Sequence, residues 1–240
     1  MHKASIVFRR ELKSYFNVPI AWLFIVIFNL AISIFFFFVQ QFFALDRADL
    51  RPYFSLLPLF FTILVPALTM KMWAEEKKQG TYEMLMTMPF SEFDLVIGKF
   101  LAAFVLLLIA IASTVFIPIT MFLFGYFDPG QIFAQYIGIF LFAAACSAIG
   151  QYVSANTKSQ ISAFVVTMIL LIILNIFSQI PLWFNMTGKI ADVINWLSVN
   201  YHYNSFAKGV LDSRDALYFL IITTGFLYAT MQKLYLGRWR

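Results

Sequence analysis

Long apolar runs alternate with short polar breaks along the whole of this 240-residue chain. Six runs stand out, at 20–45, 53–73, 100–124, 132–153, 161–184 and 215–236. Each approaches or exceeds the ~20 residues a helix needs to cross the hydrocarbon core of a bilayer. Barrel strands would instead alternate apolar and polar over about ten residues, and these runs do not alternate. The pattern therefore predicts an all-α, polytopic membrane protein: six transmembrane helices in a single domain over residues 1–240.

Between the runs, three polar stretches carry helical spacing of their own. Ahead of the first run, residues 1–18 place Ala4, Phe8, Leu12, Tyr15 and Phe16 on one stripe and fill the rest with cations. This reads as an N-terminal interfacial helix lying among membrane lipids, apolar face down. Residues 74–96 hold the densest charge, Glu75, Glu76, Lys77 and Lys78. Gly80 then permits a turn, Thr81 is placed to cap a helix from Tyr82, and Glu83 lies near that helix's positive end. Pro89 stops the helix, and Ser91 with Asp94 fits a capping box that starts the next one. Met84, Leu85, Met86 and Met88 are read as outward-looking, flexible apolar side chains suited to docking. In residues 185–214, Ile190, Val193, Ile194 and Leu197 mark one short helix, and Phe206, Val210 and Leu211 a second, with Gly209 weakening it.

Composition strengthens the membrane reading. Hydrophobic residues make up 62% and charged residues 12%, against about 45–50% and 25% in soluble domains. The first run is continuous and lacks a cleavage site, so it reads as a retained anchor. If the N-terminus is cytoplasmic, 12 of the 17 Lys and Arg residues fall inside and 5 outside. The positive-inside rule then puts both termini and 74–96 in the cytoplasm, and 46–52, 125–131 and 185–214 outside. Topology accounts for the net charge of +5, and no basic domain for nucleic acid is present.

The chemistry of the spans is sparse. Asn29, Ser33, Ser113, Thr114, Thr120, Asn175, Ser178, Gln179, Thr223 and Thr224 are the polar residues at depth, read as interhelical hydrogen bonds. No ionisable residue lies at the middle of a run, which argues against ion-coupled transport. Pro58, Pro66 and Pro118 are candidate kinks. Ala143 to Gly150 is a small-residue stretch for close helix packing, and Phe35 to Phe38 is read as lipid-facing. His202 faces no second histidine on its side of the membrane, so it reads as a polar interfacial residue and not as a metal ligand or catalyst. The lone Cys146 cannot form a disulfide within the chain. No G-x-x-x-x-G-K-[ST] phosphate loop is present, and no convergent nucleophile, base or metal set.

The run Gly80-Thr81-x-Glu83-x-Leu85, followed by Pro89 and preceded by Glu75 and Glu76, resembles the segment between the second and third spans of ABC-2-type transporter permeases. The stretch Leu197-Ser198 through Phe206-Ala207-Lys208-Gly209 to Asp215 is similar to the gliding-motility-type branch, although Val199 stands where that branch usually has proline. The resemblance implies a permease subunit of an ATP-driven exporter in a bacterial cytoplasmic (inner) membrane, moving an amphipathic or large substrate. Glu75, Glu76, Gly80, Thr81, Glu83, Leu85 and Pro89 would form a coupling helix docked on a cytoplasmic ABC ATPase dimer. That partner would bind ATP and Mg, leaving this chain without a cofactor, a metal or enzymatic activity. A second permease would complete the transmembrane pair; it would be identical or related, and in that branch it often bears a large extracytoplasmic domain. Ile190, Val193, Ile194, Leu197, Phe206 and Gly209 would belong to short outer-leaflet re-entrant helices that lid the exit. The alternative is a scaffold that passes ATPase motion to an outer partner without moving a substrate.

Overall fold

The computed structural model describes residues 2–17, 19–40, 49–185 and 188–238. The expected end of the first span at 41–45, Arg47 of the first outer segment, residues 186–187 and Arg240 lie outside the described residues. Among the described residues all regular structure is helical. Helix α1, His2–Asn17, stops ahead of Pro19, which caps α2, Ile20–Ile34. A π-helical turn, Phe35–Val39, continues α2. Phe24, Phe28, Ile32 and Phe36 recur every four residues along this helix and are buried, whereas Trp22, Leu23, Val26, Ile27 and Leu30 on its other faces are exposed. Phe36 therefore departs from the lipid-facing reading of Phe35 to Phe38: its ring meets Tyr53 edge-on at 5.2 Å.

The second apolar run extends further than expected. Helix α3, Arg51–Thr69, passes through a single break at Met70 into α4, Lys71–Gln79. The charged stretch Glu75 to Lys78 is thus the end of one long helix. Ser154 causes the break. Its hydroxyl accepts from Trp73 N and Ala74 N at 3.1 and 3.2 Å and donates to Met70 O at 3.1 Å. A hydroxyl inserted into the i to i−4 ladder is a standard cause of bending.

After α5, Thr81–Thr87, helix α6 runs Glu92–Ser113 behind the expected capping box of Ser91 and Asp94. It gives way at Thr114 to α7, Phe116–Met121. Proline clashes with the carbonyl four residues earlier, and Thr114 is four residues before Pro118. Pro58 acts differently. It leaves the Phe54 carbonyl without a helical donor, and the Tyr203 hydroxyl fills that place at 2.7 Å, so α3 continues unbroken. Helix α8, Pro129–Asn156, and α9, Gln160–Ile176, follow. A 3-10 turn Phe177–Gln179 and the short α10, Ile180–Trp183, continue the run. Helices α11, Lys189–Leu197, and α12, Val199–Ala207, precede the last helix, α13, Ser213–Arg238.

Helix α8 lies at the centre, packed against α3, α4, α6, α9, α12 and α13. Its glycines make this possible. A Cβ on Gly138 would come within 2.2 Å of Phe206, and one on Gly150 within 2.2 Å of Thr69. Among the described residues five helical stretches are long and apolar enough to cross a membrane: Ala21–Val39, Arg51–Gln79, Glu92–Met121, Pro129–Asn156 and Gln160–Gln179. The sixth expected span, α13, has 26 residues, about 39 Å of helix, and is not among these five.

Candidate functional site

The bundle gathers polar machinery at its two ends. At one end, Gly80 adopts the left-handed conformation, φ 73° and ψ 3°, which glycine reaches without a Cβ penalty. The turn folds α5 back beside α4. Thr81 is the first residue of α5, not its cap; its hydroxyl donates to Glu76 O of the preceding helix at 3.3 Å. Leu85 corrects the sequence reading too. It is buried and anchors α5, while Glu83, Met84 and Thr87 face outward. Met86 and Met88 are half-buried. Pro89 is exposed, and its carbonyl accepts from Lys3 Nζ at 2.7 Å, tying α5 to the N-terminal helix.

Beneath α5 lies an ion network that the sequence reading passed over. Lys99 is 2% exposed, and its ammonium donates to Glu76 Oε1 at 2.7 Å and Glu11 Oε1 at 3.1 Å. Arg10 reaches Glu11 at 2.7 Å and Glu76 at 3.6 Å. Three elements, α1, α4 and α6, therefore meet on two cations and two carboxylates. Burial works against the Glu11 carboxylate, but Lys99 and Arg10 together outweigh it and hold its pKa below the ordinary carboxylate value. Glu75 stays out of the network and accepts from Gln79 at 3.1 Å. The signal for Glu11 was present: it is the lone acid in an otherwise cationic α1.

Helix α1 accordingly packs on protein. Val7 is buried, and a Cβ on Gly98 of α6 would come within 2.7 Å of it. Lys77 completes the end of the bundle by donating to Ala155 O at the end of α8.

At the opposite end, α11 and α12 are joined at Ser198, whose hydroxyl accepts from Tyr201 N and caps α12. Val199 is the first residue of α12, a position where proline is also tolerated because that N–H has no helical partner. The second helix lies earlier than the spacing predicted: Phe206 is inside it and buried, while Val210 and Leu211 follow it, exposed and non-helical. Gly209, at φ 84°, turns the chain after the helix. Of the first face, Ile190, Val193 and Leu197 are exposed, Ile194 is half-buried, and Ala191 is the residue turned inward.

His202 is enclosed by protein. It is buried, with Nδ1 2.6 Å from Asp215 Oδ1 and Nε2 2.8 Å from Trp196 O. Tyr218 stacks on its ring at 3.9 Å between centroids. Both ring nitrogens thus lie within hydrogen-bond distance of an oxygen atom. His202 thereby fastens α11 and α12 to the start of α13. Among the described residues no group of three His, Cys, Asp or Glu side chains is placed to hold a metal.

A comparison with curated proteins gives no match. A model of the family described as "ABC-2 family transporter protein" matches residues 50–230. That stretch runs from the start of α3 to within α13, covers well over half of the chain, and includes the α4–α5 turn, the capping box and both helices ahead of α13. The chain belongs to the ABC-2 family of transporter membrane proteins, whose permeases partner an ABC ATPase.

Proposed function

We propose that the chain is the six-span permease subunit of an ATP-driven exporter in a bacterial inner membrane, with its termini and α5 in the cytoplasm. Helix α5 docks on a separate ATPase, and a second permease completes the transmembrane pair. The observation that carries this reading is the mounting of α5. It projects Glu83, Met84 and Thr87 outward, and it is bracketed by the Gly80 turn, the Lys3–Pro89 bond and the ion network on Glu76. A push on α5 is passed through Leu85 and Glu76 directly to α1 and α6. This chain would hydrolyse nothing itself; ATP and Mg would be bound by the partner. The stretch from Leu197-Ser198 through Phe206-Ala207-Lys208-Gly209 to Asp215 is what supports the gliding-motility-type branch, with Val199 departing from its usual proline.

Docking on the exposed face is tested by Met84→Asp and Glu83→Lys. Both side chains point away from the core, so spans and α5 stay folded while copurification with the ATPase falls about tenfold or more, as loss of a buried interface anchor does. Wild-type copurification by both variants would remove α5 as the docking element.

A further inference from the structure

Between α1, α4 and α5 the structure encloses a cleft of about 530 Å3. Its α4 wall continues the long helix of the second span, charge-free from Pro52 to Met70. Moving out of that apolar stretch, the lining residues run Leu68, then Lys71, then Glu75 and Glu76. These positions recur at helical spacing, so they stand on one stripe. The order is apolar, cation, anion. Chain order sets distance from the hydrocarbon, because each residue adds about 1.5 Å along the axis.

The charges in this stripe have spare capacity. Neither Lys71 nor Glu75 takes part in an ion pair among the described residues. Glu76 gives Oε1 to Lys99, but its Oε2 is buried without a hydrogen-bond partner. A buried carboxylate oxygen left without a donor is costly and needs an occupant that supplies one.

We infer that this cleft binds the headgroup of an ethanolamine-type phospholipid, with the phosphate against Lys71 and the primary ammonium between Glu75 and Glu76. Such a lipid presents acyl chain, phosphate and ammonium in the order in which the stripe presents Leu68, Lys71 and Glu75. A choline headgroup has no N–H to give to Glu76 Oε2. An anionic glycerol headgroup brings no cation to the carboxylates. The inference needs only that α3 spans the membrane; Met84 borders both the cleft and the proposed docking face of α5, whereas Lys71 and Glu75 belong to the cleft alone. The lipid would then wedge α1 and α5 at the end of the span, and make the position of α5 depend on headgroup composition.

The full chain in detergent, given equimolar ethanolamine, choline and glycerol phospholipids of matched acyl chains, tests this by native mass spectrometry. The ethanolamine lipid should be retained about tenfold over the choline lipid, the value of one charge-assisted hydrogen bond. Glu75→Gln should shrink that preference. Lys71→Ala should weaken both lipids and leave the preference standing, because it removes a phosphate contact that they share. These two side chains lie outside the Lys99 network, so the fold should tolerate both changes. Equal retention of the two lipids by the wild type overturns the proposal, as does an unchanged preference in Glu75→Gln. Equal retention with Glu75→Gln instead abolishing ATPase copurification would assign the cleft to a basic side chain of the ATPase and overturns it too.

Discussion

A buried polar group is tolerated only where a hydrogen-bond partner has been brought to it, and removing one partner leaves the other unsatisfied at a cost of about 1–3 kcal/mol. His202 and Asp215, both nearly inaccessible and 2.6 Å apart, meet that condition. The sequence reading gives His202 no metal-binding or catalytic role; the geometry gives it a structural one. His202→Ala should lower the thermal midpoint of the detergent-solubilised protein and speed hydrogen exchange across α11 and α12. Adding Asp215→Asn should recover part of the loss, since the stranded carboxylate is then gone. If His202→Ala matched wild type in both measurements, the pair would not fasten the outer helices. A single histidine gives no hint of this in sequence, because Asp215 is thirteen residues away and comes near only when α12 packs on α13.

Elements in this protein are shaped by how backbone groups are satisfied after proline or a hydroxyl intervenes. Among the polar residues at depth, Thr120, Asn175, Thr223 and Thr224 bond carbonyls of their own helix. Asn29–Ser113 at 2.7 Å, Thr114–Tyr136 at 3.1 Å and Asn200–Ser178 at 3.4 Å cross between elements. The interhelical role read from sequence thus holds for some of them, and local bonding accounts for the rest. The Tyr203 hydroxyl, by contrast, supplies the Phe54 carbonyl that Pro58 orphans. Tyr203→Phe should therefore cost about 1–3 kcal/mol, the penalty of a buried unpaired acceptor. Tyr203→Phe with Pro58→Ala should be milder, because the helical donor to Phe54 returns. Unfolding of the two variants by steric trapping or denaturant would compare them; additive losses would contradict this account.

At the scale of the whole molecule, the segments assigned to each side by charge also meet in space. Helix α1, the α4–α5 turn, Ala155 and Lys99 converge at one end, linked by Lys3–Pro89, Lys77–Ala155 and Lys99–Glu11. Tyr203, Gln135 and Ala207 converge at the other, through Gln135 Nε2 bonding Ala207 O at 2.7 Å. The side each end faces is testable. Cys146 is buried, so single cysteines at the exposed Lys78 and Lys189, in a Cys146→Ser background, report on opposite ends. An impermeant thiol reagent applied to intact cells should label Lys189→Cys and spare Lys78→Cys; the reverse would invert the proposed topology.

What the sequence by itself determined is whatever depends on local free energy. Apolar run length gave the helices and the membrane, the Gly80 and Pro89 positions bounded α5, and Ser91 with Asp94 started α6, because each of these is settled within a few residues. The left-handed φ at Gly80 and the capping box are local solutions to local backbone demands. Only the tertiary structure decided which side chains face one another. Leu85 turned inward, Phe36 joined the core, Ser154 broke the second span at Met70, and Lys99 was joined to Glu11 and Glu76 from two other helices. Those outcomes depend on contacts between residues up to 88 positions apart. Spacing along one helix fixes which face a residue shares, but the neighbour that covers the face is set by packing around α8.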